Sequence, residues 1–212
     1  MRVWLPDRPG ALGAVASRIG AVRGDVVGID ILETGGGEAI DELVVQLPQV
    51  TPVALLVSEI EEVDGVRVEE VRPLVDRARD PSVEALETAA LLVAAGTGTD
   101  LLALLCEHTG RIVAAEWVAV IDLDDDRVIA RAGTLPSEPW LAAFLAGSRA
   151  AVTDCHTDDV VWAPLPDAGL AVVAGRNGSG YRARERGQLG AMARIAAVRY
   201  CQLRERSTAR SH

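Results

Sequence analysis

The sequence contains no lysine, and all 21 of its basic residues are arginine. A phosphotransferase-type centre that needs a lysine therefore cannot be completed anywhere in the chain. Aromatic residues make up only 3% of it, so the core has to be built from Val, Leu, Ile and Ala. Cysteine is equally scarce. Cys106, Cys155 and Cys201 are odd in number and widely spaced, which gives neither a disulfide framework nor a C-x-x-C zinc spacing. No metal site and no cofactor are expected. No uninterrupted apolar run reaches the ~18 residues of a membrane span. There is also no basic-then-apolar leader, and the chain reads as a cytoplasmic protein with no membrane partner. Acid exceeds base, giving a formal charge of −10 that repels phosphate backbones and anionic lipid, so no nucleic-acid partner is expected.

What remains is a 212-residue chain, 49% hydrophobic, long enough for one large or two small domains. Its opening is the most informative stretch. Val3-Trp4-Leu5 is a short apolar strand, and Pro6-Asp7-Arg8-Pro9-Gly10-Ala11-Leu12 follows it directly. Pro-Gly before a periodic apolar run predicts a tight strand-to-helix turn. Gly10 lets backbone approach a ligand closely, and the first helical turn offers unpaired N–H groups to a carboxylate.

The next sixty residues spell β-α-β-β-α-β. Leu12, Val15, Ala16, Ile19 and Val22 recur at helical spacing, and Arg23-Gly24-Asp25 stops that helix. Val27, Ile29 and Ile31 alternate with Gly28, Asp30 and Leu32 as a second strand, and Gly35-Gly36-Gly37 is a hairpin turn. Leu43, Val45 and Leu47 form the inward face of a third strand. Thr51 is placed as the N-cap of a helix beginning at Pro52, with Val53, Leu56, Val57, Ile60 and Val63 as its stripe. Gly65 ends it, and Val66 and Val68 open a fourth strand. Two helices on one face of a four-stranded antiparallel sheet is the ferredoxin-like arrangement.

With D-R-P-G-A-L at the end of the first strand, residues 1–75 resemble the ACT domain, an amino-acid-sensing regulatory module. The resemblance implies a ligand site made of Asp7, Pro9, Gly10, Ala11, Leu12 and Asp25. Asp7 would contact the ligand's amino group, and the amides of Gly10, Ala11 and Leu12 would face its carboxylate. Asp25, at the start of the second strand, would join across a dimer interface. Family members with a serine site carry His where Leu5 stands and Asn at both Asp positions, so serine is not implied. The alternative is that Asp7 merely caps the helix of a dimerisation element.

Residues 76–80 are charged and aperiodic and read as a linker. Val83, Leu86, Ala90 and Val93 then suggest a helix, and a second one runs from Asp100, as N-cap, to about Glu107. A strand over 116–123 pairs with one over 127–132 through Asp124-Asp125-Asp126. A short helix over 138–146 precedes two strands, 160–164 and 170–174, joined by Pro-Asp-Ala-Gly. A long closing helix runs from about Arg184 to Glu205, striped by Leu189, Met192, Ala193, Ala196, Tyr200 and Leu203, and 207–212 is expected to be a disordered tail. This order over 81–206, with Val160-Val161-Trp162-Ala163-Pro164-Leu165 and then Gly175-Arg176-Asn177 before a helix carrying Glu185, resembles a GAF domain, an α+β small-molecule sensor with a central antiparallel sheet.

Other candidates are bland by comparison. Asp122-Leu123-Asp124-Asp125-Asp126 reads as a solvated hairpin rather than a D-x-D site. Gly175-Arg176-Asn177-Gly178-Ser179-Gly180 reads as a connection rather than a phosphate loop. Cys155-His156 and the Cys106/His108 pair lack a spacing that makes a nucleophile, and Trp117, Trp140 and Trp162 fit a core role. The expectation is thus an α+β, non-catalytic regulatory homodimer. It would bind a small amino acid and pass its output through a partner enzyme or regulator. The competing class is an interaction protein without a ligand of its own.

Overall fold

The computed structural model describes residues 1–73, 81–150 and 159–210; the linker expected at 76–80 lies outside them. The chain divides into two compact units. One holds the described residues up to 73 together with Arg182–Arg184, and the other holds the remaining described residues.

In the first unit the elements are β1 (Arg2–Pro6), α1 (Ala11–Ala21), β2 (Asp25–Gly35), β3 (Glu38–Gln46), α2 (Val53–Glu61) and β4 (Arg67–Glu70). The sheet order is β2-β3-β1-β4 with every pair antiparallel, the ferredoxin-like topology. Val3 and Leu5 of β1, Ala39 and Leu43 of β3, Val15 and Ile19 of α1, and Leu56 and Ile60 of α2 make one core, so both helices cover the same face. Ala16 is exposed and Ala11 is buried in its place, which shifts the inward stripe of α1 toward the turn. β2 lies at the sheet edge beyond the helices' cover, leaving Val27, Ile29 and Ile31 half exposed.

Thr51 does not cap α2. Pro52 occupies the N-cap position without a side-chain bond, and the Thr51 hydroxyl donates to the Val22 carbonyl at 3.3 Å. The hydroxyl thus serves the C-terminal end of α1, whose orphan carbonyls also need donors.

The second unit contains α3 (Pro81–Ala94), α4 (Gly98–Ile112), β5 (Trp117–Asp122), β6 (Val128–Gly133), α5 (Glu138–Ala150), β7 (Val160–Leu165), β8 (Leu170–Gly175) and α6 (Ala183–Arg210). Its sheet runs β6-β5-β8-β7, again antiparallel throughout. Val118, Val120, Val172 and Ala174 pack on one face against Leu101 and Leu105 of α4 and Leu189, Ala193 and Ala196 of α6. Ala119, Ile121, Ala171 and Val173 pack on the other against Leu141 and Leu145 of α5. A sheet buried on both faces explains the near-continuous apolar runs of β5 and β8.

Several ends differ from expectation. Thr97, not Asp100, caps α4: its hydroxyl accepts from the Asp100 amide at 3.1 Å, which places Asp100 in the first turn. α4 continues to Ile112, α5 to Ala150 and α6 to Arg210, so residues 207–210 of the expected tail are helical. The stripe Val83, Leu86, Ala90 and Val93 faces outward on α3, while Thr88 and Leu92, with Ala95 just beyond, face the core. Both sets have helical spacing, and periodicity alone picked the more apolar one.

Candidate functional site

Asp7, Arg8, Pro9 and Gly10 are exposed at the turn from β1 into α1, while Ala11 is buried and Leu12 half-buried against the core below. The turn is held by backbone: the Asp7 amide donates to the Gly37 carbonyl at 2.9 Å, and the Arg8 amide to the Pro6 carbonyl at 2.8 Å. Gly10 is the N-cap of α1 in the left-handed region, φ 89° and ψ −12°, a conformation that glycine adopts without penalty. No atom lies within 4 Å of where a Cβ would stand. No side chain caps the helix and no acidic residue sits in its first turn. The Ala11 amide donates to the Arg8 carbonyl at 3.3 Å, but no side chain caps the positive end of α1, and it stands next to backbone that a ligand can approach, which is the chemistry of a carboxylate seat.

Asp7, Pro9, Gly10, Ala11 and Leu12 are thus gathered at one point, but Asp25 is not with them. Asp25 pairs with Gln46 at the start of β2, whereas the Asp7 amide bonds the hairpin at the far end of that strand. Ten residues of extended chain place these ends ~33 Å apart. Within one chain Asp7 and Asp25 do not share a ligand.

Asp41 is the residue that sequence reasoning missed. Ala39, Leu43 and Val45 of β3 face the helices, and Asp41 sits at the same parity, opposite Val3 of β1 and Ile31 of β2. It is 3% exposed, and its Oδ1 is buried with no hydrogen-bond partner among the described residues. Burial, and secondarily the Asp7 charge, push its carboxyl above the ordinary range. The available signal was parity: stepping back two residues from Leu43 lands on an acid.

In the second unit the most heavily bonded polar group is Arg176. Its Nη1 donates to Glu185 Oε1 at 2.6 Å and to the Val113 carbonyl at 2.9 Å. Its Nη2 donates to Glu185 Oε2 at 3.1 Å and to the Gly180 carbonyl at 2.8 Å, and its Nε donates to the Ser179 carbonyl at 2.8 Å. The guanidinium also lies 4.0 Å above the Tyr181 ring. With Arg176 and Glu185 both buried, this pair fixes the 176–181 connection and leaves no cation for a phosphate. Asn177 adds a side-chain bond to Glu116 at 2.7 Å.

Trp117, Trp140, Phe144 and Trp162 gather on the α5 face of the sheet, in a chain with only four Trp, two Tyr and one Phe. Trp140 stacks on Phe144 at 5.5 Å and meets Trp117 edge-on at 6.3 Å. The Trp117 ring lies against Gly175, where a Cβ would come within 2.2 Å of it. A separate groove of about 390 Å³ between α3 and α6 is lined by Val93, Arg194, Ile195, Val198, Arg199 and Gln202.

The remaining described candidates are tied into the fold. Cys106 is buried and its thiol is pushed up to about 12, far from a thiolate at neutral pH. His108, held below the ordinary imidazole range by burial and then by Arg111, shares a 3.2 Å hydrogen bond with Thr88. The acidic turn bonds itself: Asp122 Oδ1 accepts from the Asp124 amide at 3.0 Å. Cys155-His156 lies outside the described residues. Among the described residues no three His, Cys, Asp or Glu side chains group as metal ligands, and no helix is long and apolar enough to cross a membrane.

No family model and no curated protein matches the chain. Among solved structures it is similar to the GAF domain of a phosphoenolpyruvate-protein phosphotransferase from Coxiella burnetii, at 13% identity over 60% of this chain and 96% of that one, TM-score 0.46. It is also similar to the free methionine-R-sulfoxide reductase of Neisseria meningitidis in complex with its substrate, at 15% identity over 64% and 99%, TM-score 0.44. A third is a bacteriophytochrome from R. palustris, at 13% identity over 84% of this chain and 43% of that one, TM-score 0.46.

Proposed function

We propose that the chain is a non-catalytic, ligand-responsive regulatory protein: an ACT-type module that binds a small amino acid at the β1–α1 turn, followed by a GAF-like module. The observation that carries this reading is the open, uncapped positive end of α1 beside Gly10. The ferredoxin-like strand order supports it, as does the acidic Asp7 beside the carboxylate seat, since an α-amino acid presents both charges. A second copy is part of the proposal. β2 is an eleven-residue edge strand, and antiparallel pairing of two such strands would carry Asp25 of a second copy toward the Asp7 end.

A thermal-shift screen against the twenty common amino acids tests the reading. Binding at ~100 times the dissociation constant adds about 2.7 kcal/mol, a shift well above noise. A flat screen would overturn it in favour of an interaction protein that assembles a partner enzyme or regulator. One observation favours that second reading: Val83, Leu86 and Val93 form an exposed apolar stripe on α3.

A further inference from the structure

The loop site as so far described contains a seat for a ligand's carboxylate and one exposed acid, Asp7. It also has a neighbour with no role in the fold. Asp41 interrupts an otherwise apolar set on the helix-covered face of β3, where an aliphatic side chain would pack without cost. Its Oδ1 is buried and makes no hydrogen bond among the described residues, an arrangement that costs stability when it serves nothing. The cover over this position ends toward the sheet edge: Ile31, paired with Asp41 across β2, is 57% exposed.

We propose that Asp41 is the cation-reading group of the β1–α1 site, and that it receives the ammonium of a small zwitterion entering between Asp7 and Ile31. This rests on the reading of the turn as a ligand site and assigns the second carboxylate to the same chain. A cation placed between Asp7 and Asp41 satisfies the orphan oxygen and removes the repulsion between the two acids. Ligands with an acidic side chain are disfavoured by the same pair, and amines lacking a carboxylate lose the helix-end contact. Burial and the Asp7 charge raise the free-state titration of Asp41, so a proton and the ligand's ammonium compete for its carboxylate. Asp7 is the charged group that bears on it; its cross-strand neighbours on β1 and β2, Val3 and Ile31, are neutral. Apparent affinity therefore falls as pH drops through the free-state titration of Asp41.

The test follows the carbon-13 shift of the Asp41 carboxyl in the full chain, which needs no variant, during titration with each common amino acid and with methylammonium. Calorimetry then compares the parent with Asp41→Asn. At a pH within the free-state titration of Asp41, the expected result is that an amino acid moves the Asp41 shift toward the ionised value, and that Asp41→Asn weakens binding by about ten- to a hundredfold, the worth of one charged hydrogen bond. If methylammonium moves Asp41 and no amino acid does, the cation site stands and the amino-acid reading of the turn falls. If an amino acid binds while the Asp41 shift and the Asp41→Asn affinity stay at parent values, the turn binds its ligand without Asp41 and the assignment is overturned. If no probe binds or moves Asp41, both are overturned.

Discussion

Single side chains in this protein divide into those that hold the fold and those the fold merely tolerates. Arg176 belongs to the first group. It and Glu185 are both buried, so removing one leaves the other's charge stranded. Arg176→Met should cost about 3–5 kcal/mol in urea unfolding, and adding Glu185→Leu should recover only the part owed to the Glu185 charge, because the Val113, Ser179 and Gly180 carbonyls still lose their donor. Asp41 belongs to the second group. Its carboxyl is raised by burial, so the native state keeps a proton that the unfolded chain has lost. Its contribution is unfavourable once pH rises through the native value, and it vanishes below the ordinary Asp range near 3.8. Asp41→Asn should accordingly be more stable than the parent at neutral pH, with the two unfolding curves converging as pH falls. Gly10 serves the site more than the fold. A valine there meets no atom within 4 Å but is forced into φ 89°, so it should cost about 1–2 kcal/mol of stability through strain. Its larger effect should be on amino-acid binding, read by calorimetry, through blocked access to the helix end. Asp7→Ala should weaken binding by roughly 1.5–3 kcal/mol and leave the free protein nearly unchanged.

At the scale of elements, ends are where sequence and structure part. The strands and helices of the first unit were legible because their apolar residues switch cleanly between periods of two and 3.6. Caps were not, because several polar residues near each start could serve. Thr97 and Asp100 both suit an N-cap, and only the hydrogen bond from the Asp100 amide to the Thr97 hydroxyl decides between them. Thr97→Ala should therefore lower stability by about 1 kcal/mol, and Asp100→Ala should cost less, as measured by chemical denaturation. Asp41 is hidden in the sequence for a related reason. The inward parity of β3 is plain from Leu43 through Val45 and Leu47, whereas an acid at the same parity carries no apolar signal. The edge position of β2 is also hidden in the sequence, since strand order is decided by pairing that no local pattern encodes, so the alternation of Ile29 and Ile31 does not reveal that both stay half exposed. The loop at Gly10 was the most legible part of the site, because a turn with positive φ demands a residue that can adopt it.

At the scale of the whole molecule the open question is what covers the β2 edge. Its outer side pairs with no strand among the described residues, Val27, Ile29 and Ile31 are between 48% and 57% exposed, and no lysine or proline along its eleven residues blunts pairing. Pairing with a second copy would satisfy that backbone and bury those side chains. It would also bring Asp25 of the second copy toward Asp7, the separation that one chain cannot close by itself. Light scattering at micromolar concentration should then give about twice the 22.4 kDa chain mass. Val27→Lys should return a single chain mass and a lower unfolding midpoint than the parent, since Val27 adds little to the monomer's core and the stabilisation by the second copy is lost. Amino-acid affinity should fall with the mass, because the Asp25 contribution departs together with the second copy. A parent protein that scatters as a monomer would remove both the interface and Asp25 from the site, leaving recognition to the turn and Asp41 within one chain.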